Sequence, residues 1–212
     1  MSAINATDPA VFEILHALKV KGLASDTFLG DMTGLDDASL ATAVAGVVEN
    51  GWAIRRDTPR MSGTMITPAG RAEYDRRSAE AALDDAVLAQ VLDIYEKFLP
   101  INSDFKKVCA AWQMTADGTP NDHSDATYDA GVIGDLGGIH ERVAVALAPA
   151  DTALPRLYRY AGRLEAALEK VRGGDSAAFA RPMYDSYHDI WMELHQDLLL
   201  TTGREREAAD EE

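Results

Sequence analysis

The chain has 212 residues, 47% of them apolar and 26% charged, with a formal net charge of -15 and a single cysteine, Cys109. That length allows one domain or two small ones with room for a hydrophobic core. One cysteine excludes a disulfide framework, a cysteine-rich zinc site and a thioredoxin-type pair, and the acidity opposes nucleic-acid binding, which draws on Lys and Arg against phosphate.

No apolar run approaches the ~18 residues of a membrane span. The opening segment MSAINATDPAVFE has no basic stretch ahead of an apolar one, so the expectation is a cytoplasmic chain with no signal peptide and no membrane partner. The charge is uneven. Residues 1–78 carry 8 basic and 10 acidic side chains, whereas residues 79–212 carry 12 and 25. The expected organisation is a first domain over 1–78, a helical domain over 79–204 and an acidic, disordered tail over 205–212.

In chain order, Asp8-Pro9 starts a helix with a capping side chain and a first-turn proline. Val11, Ile14, Leu15 and Leu18 follow at helical spacing, and Gly22 ends the run. Ser25 caps a second helix bearing Phe28, Leu29 and Met32, closed by Gly34. Asp36 or Asp37 caps a third bearing Leu40, Val44, Val47 and Val48, stopped at Asn50-Gly51. The period then shortens: Trp52, Ile54, Met65 and Ile66 lie in two β-like runs around a polar turn from Asp57 to Gly63. Thr67-Pro68 opens the next helix.

Three helices and a hairpin in this order resemble the winged helix-turn-helix of MarR-type regulators. The likeness rests on Glu49-Asn50-Gly51-Trp52-Ala53-Ile54-Arg55-Arg56 as the turn from recognition helix into wing, and on Thr67-Pro68-Ala69-Gly70-Arg71-Ala72 as the exit from the wing. The fold class expected is mainly α: a winged helix with a two-stranded wing, then an all-α bundle. In such regulators the third helix enters the major groove. Here Asp36 to Glu49 contains no Lys, Arg, Gln or Asn and begins with two aspartates. Arg55, Arg56 and Arg60 on the wing are the residues suited to DNA.

Beyond the wing, one long helix is expected from Pro68 to Leu99, with Leu83, Val87, Leu88, Val91, Leu92, Tyr95 and Phe98 as its stripe and Pro100 as its stop. Such a helix is a core element or a homodimer seam. Ser103 caps a further helix with Phe105, Val108, Cys109 and Trp112. A loop runs from Thr115 to Thr127, and helices follow over about 128–147, 153–171 and 182–201, with a break at Gly173-Gly174.

Two segments carry candidate chemistry. The loop Asn121-Asp122-His123-Ser124-Asp125 reads either as turn and capping chemistry or as a polar site. In the segment from Tyr184 to His195, the residues Tyr184, His188, Trp191 and His195 recur at steps of three or four, with Tyr187 beside them. That stripe reads either as the wall of a pocket for a small aromatic or hydroxylated ligand, with a histidine as base, or as a packing face whose polar tips bond one another. His188 and His195 are two turns apart, ~10 Å, too far to share one metal, and pairs such as Asp185 with His188, or either with His123 or His140, arise by chance among so many acids. No metal is expected.

Asn121-Asp122-His123-Ser124-Asp125 together with Asp185-Ser186-Tyr187-His188, Trp191 and Glu193-Leu194-His195 resembles a set found in actinobacterial proteins that join such a helical region to a MarR-like winged helix. Similar regions accompany enzymes of the phosphoenolpyruvate synthase and pyruvate phosphate dikinase type. The resemblance implies a small subunit that binds no cofactor alone, with ATP and Mg held by a larger ATP-grasp and phosphohistidine partner. It implies that Tyr184, Tyr187 and Trp191 wall an acceptor pocket. His188 or His195 takes the acceptor's proton, oriented by Glu193, Asp185 or Asp122, and His123 is the other candidate base. A DNA-binding regulator with a C-terminal effector domain and a scaffold protein are the two other readings.

Overall fold

The computed structural model describes residues 9–58, 61–80 and 83–204. They form ten helices and a three-stranded antiparallel sheet, and divide between Asp84 and Asp85 into two compact units. The Asp8 cap, Arg60 and the tail over 205–212 lie outside the described residues.

In the first unit, α1 (Pro9–Lys21) packs against α2 (Asp26–Thr33), α3 (Asp37–Glu49) and α4 (Pro68–Glu80). Val11, Ile14, Leu15 and Leu18 of α1 are fully buried, each contributing ~1.5–3 kcal/mol by leaving water. The caps follow the sequence. The Ser25 hydroxyl accepts from Phe28 N at 3.1 Å, and Asp36 Oδ1 accepts from Ala38 N and Ser39 N at 3.0 Å. Thr67 ties two elements together: its hydroxyl donates to the Gly51 carbonyl at 2.7 Å and accepts from Gly70 N at 3.0 Å.

The sheet holds three strands rather than the expected two. β1 (Leu23–Ala24) and β2 (Ala53–Thr58) flank β3 (Met61–Ile66), with Leu23 and Ile54 both opposite Met65. A two-residue strand leaves no periodicity to read. Its signature is instead Gly63, at φ +150°, where a Cβ would sit 2.6 Å from the Ala24 carbonyl oxygen. Only glycine lets β1 approach.

The second unit is helical: α5 (Asp85–Gln113), α6 (Ala126–Leu147), α7 (Ala150–Ala153), α8 (Pro155–Arg172), α9 (Ala177–Ala180) and α10 (Tyr187–Thr202). α5 packs on α6 and α10, and α8 closes the bundle against α6 and α10. Three expectations are corrected here. The helix expected over Pro68–Leu99 is two helices, α4 and α5. Pro100 does not end α5 but lies inside it, and Ser103 is mid-helix rather than a cap. Proline costs ~3 kcal/mol in a helix interior, because it removes the N–H that the residue 96 carbonyl would accept. Phe98, Ile101, Asn102 and Phe105 are buried on both sides of it, and that shared burial carries the helix through. Among the described residues, no helix is long and apolar enough to cross a membrane.

Candidate functional site

On α10 the stripe is a packing face. The helix begins at Tyr187, with the Ser186 hydroxyl accepting from Asp189 N at 3.2 Å. Tyr184 is therefore off the helix, in a turn where Met183 and Asp185 both have positive φ, at 58° and 50°. It is 41% exposed; its hydroxyl donates to Asp175 Oδ2 at 3.1 Å, and its ring lies under Arg181.

Apart from His188, the remaining stripe residues lie beneath the surface. Trp191 is fully buried between Phe98 and Phe105 and donates Nε1–H to Asn102 Oδ1 at 2.8 Å. Tyr187 is fully buried, its hydroxyl 3.5 Å from His140 Nδ1; burial pushes its phenol well above the ordinary value. His140 in turn pairs through Nε2 with Glu165 at 2.5 Å. Glu193, 6% exposed, accepts from Arg163 Nη1 at 2.6 Å, and Asp185 lies 3.6 Å from the same guanidinium. His195, 2% exposed, packs against Tyr95 and Phe98. Two residues on, Asp197 is fully buried and gathers Arg156, the Tyr160 hydroxyl and Thr201. Of the α10 histidines only His188 is part-exposed; it leans on Phe105, and burial lowers its pKa below the ordinary 6.5. Tyr187, Trp191, Glu193 and His195 are thus core side chains, not pocket walls, because their polar atoms sit under the rings and charges of neighbouring helices.

The loop 121–125 is different. Asp122 Oδ1 accepts from Ser124 N at 3.0 Å, and Asp125 caps α6 by accepting from Thr127 N and Tyr128 N. These are the local roles expected of such residues. Between them His123 stands at φ +60°, a left-handed conformation that costs a non-glycine residue ~1–3 kcal/mol. His123, Met183 and Asp185 are the positive-φ non-glycine residues among those described, and all three lie in or beside the two segments singled out by the sequence.

The His123 ring lies on Trp112, with centroids 4.3 Å apart, and Trp112 stacks in parallel on Phe179 at 4.2 Å. Its Nδ1 is 3.0 Å from Asp129 Oδ2. Asn121 bonds the same carboxylate through Nδ2 at 2.8 Å, reaches the Trp112 carbonyl at 3.2 Å, and accepts the His123 N–H at 3.0 Å. The His123 side chain is 36% exposed, and among the described residues its hydrogen bonds run through Nδ1, not Nε2. Sequence reasoning missed Asp129, Trp112 and Phe179. The available signal was the Asp125 cap, which sets Asp129 in the first turn of α6 facing back toward the loop.

Among the described residues, no group of three or more His, Cys, Asp or Glu is placed to hold a metal ion. Cys109 is no nucleophile near neutral pH, since burial pushes its thiol up to about 12.

In the first unit, the arginines of the β2–β3 hairpin are unequal. Arg55 makes a two-pronged ion pair with Asp26, at 2.6 and 2.9 Å. Arg56 is exposed, and Arg60 lies outside the described residues. The outer face of α3 presents Asp37, Ala41 and Ala45 beside a shallow cavity of 380 Å³, and the helix has no Lys, Arg, Asn or Gln for the commonest bidentate base contacts. The chain matches no protein-family model, no curated protein and no solved structure.

Proposed function

We propose that this chain is an acceptor-binding or accessory subunit of an ATP-dependent phosphotransferase of the phosphoenolpyruvate synthase type, acting on a hydroxylated or phenolic small molecule. The observation that carries the reading is the His123–Asp129 pair: an imidazole held by a carboxylate at one nitrogen and open at the other. Such a pair removes a proton from a hydroxyl as that oxygen attacks. The sequence has no phosphate-cradling glycine loop, so the phosphoryl group comes from a larger ATP-grasp and phosphohistidine partner that holds ATP and Mg. The first unit is then a winged helix serving as an interaction module, which suits its anionic third helix, with no Lys, Arg, Asn or Gln.

The test is reconstitution with the ATP-grasp and phosphohistidine enzyme encoded nearest to it. Acceptor-dependent ATP consumption that requires both chains is the expected result. Turnover unchanged by omission of this chain overturns the reading.

A second reading, a MarR-like regulator, is favoured by the order of helices and sheet in the first unit and by exposed Arg56. It predicts a DNA shift at low salt that fades steeply as salt rises. The ion pair of Arg55 with Asp26 and the aspartates leading α3 weigh against it.

A further inference from the structure

The hydrogen bonds around His123 fix where its Nδ1 hydrogen goes. Asn121 must present Oδ1 to the His123 backbone N–H, which it accepts at 3.0 Å, and that fixes the orientation of its amide. Its NH₂ group has two hydrogens. Asp129 Oδ1 at 2.8 Å and the Trp112 carbonyl at 3.2 Å take both. No Asn121 hydrogen remains for His123 Nδ1, although the two nitrogens are 3.2 Å apart. An ionised carboxylate only accepts, so the 3.0 Å contact from His123 Nδ1 to Asp129 Oδ2 requires the hydrogen to be on Nδ1.

From this network we infer that Asp129 and Asn121 are positioning residues that lock His123 in its Nδ1–H form, so that Nε2 presents a lone pair to solvent as the proton acceptor for an uncharged hydroxyl ligand. Free imidazole side chains favour the opposite, Nε2–H, form, so the lock does chemical work. In the transfer the ligand's O–H bond breaks and an N–H bond forms at Nε2. The electron pair stays on oxygen, and the imidazolium's charge is matched by Asp129. The ring rests on Trp112 and its backbone stands at φ +60°, and the side chain is 36% exposed.

The ligand class follows from charge. The loop over 115–129 contains Asp117, Asp122, Asp125 and Asp129 and no Lys or Arg. A ligand bearing its own phosphate or carboxylate would enter against that field, whereas a neutral alcohol or phenol would not. The inference rests on the accessory-subunit reading for its reaction but not for its tautomer.

The experiment is long-range ¹H–¹⁵N correlation of the histidine rings in the full chain at pH 8. The expected pattern for His123 is a protonated, pyrrole-type Nδ1 and an unprotonated, pyridine-type Nε2. Asp129→Asn should shift the ring toward Nε2–H, and Asp129→Glu should largely keep the wild-type pattern. A wild-type ring in the Nε2–H form, or a tautomer unmoved in Asp129→Asn, overturns the lock. In the reconstituted pair, Asp129→Asn should lower kcat ~100-fold with little change in KM for a neutral phenol. Wild-type turnover in that variant and in His123→Gln overturns the base role while leaving the partner reading intact. A wild-type pair without turnover counts against the partner reading, and the tautomer then decides this inference alone.

Discussion

The loop around His123 and the first turns of α10 are built from the same residue types: imidazoles, carboxylates and aromatic rings. They differ in what remains open. On α10 three polar side chains face other parts of the bundle: Trp191 meets Asn102, Glu193 meets Arg163, and Tyr187 meets His140. In the loop, one nitrogen of His123 is held by Asp129 and the other is not engaged. The difference teaches that a row of candidate side chains becomes a site through an uncommitted lone pair beside a committed one. A row whose groups satisfy one another specifies a core.

If that contrast holds, substitutions on α10 should act on stability and those in the loop on chemistry. The largest effect belongs to Trp191→Ala. It empties a fully buried ring site and orphans Asn102, and should cost ~3–5 kcal/mol in chemical denaturation of the helical unit. A cost below about 1 kcal/mol would return Trp191 to the role of a pocket wall. Asp197→Ala comes next. It leaves the buried Arg156 without its carboxylate, an effect of ~3 kcal/mol or more in the same measurement. His123→Ala should cost less than about 1 kcal/mol, since the side chain is part-exposed, yet it should remove turnover in the reconstituted pair.

A smaller effect belongs to His188 and depends on pH. Burial lowers the pKa of His188 below its ordinary 6.5, opposed by the charge of Asp189. The unfolded chain therefore takes up this proton more readily than the folded one. The stability contribution is full above about pH 6.5 and is lost as pH falls below it. His188→Gln should flatten that slope in denaturation series across pH 5–8; an unchanged slope would mean that burial does not disfavour the charged His188 ring. Least of all should Cys109 respond to its surroundings. With its thiol pushed up to about 12 by burial, it should resist a disulfide reagent at pH 8 in the folded chain and react promptly in denaturant.

Much of the first unit was legible in the sequence because its signals are local. Ser25, Asp36, Gly34 and Thr67 announce helix ends through bonds to residues within four positions. What escaped was set by distant partners. β1 is too short to show a period and exists because Gly63 admits it. Pro100 reads as a stop, and only the core on both sides of it keeps α5 whole. Tyr184 fits a helical wheel, but the left-handed residues on either side of it break the helix. The same limit governs the site. Asn121 and His123 were visible as turn formers, but Asp129 is joined to them by the fold of the loop onto α6. Trp112 and Phe179 come from two further helices.

The most direct test of the central contrast is site-resolved acylation of the five histidines by diethyl pyrocarbonate, followed by mass spectrometry on the native full chain. The account predicts that His123 is modified first, on Nε2, that Asp129→Asn slows it, and that buried His16, His140 and His195 react last. Modification of His188 or His195 ahead of His123 would place the open nitrogen on α10 and contradict the account.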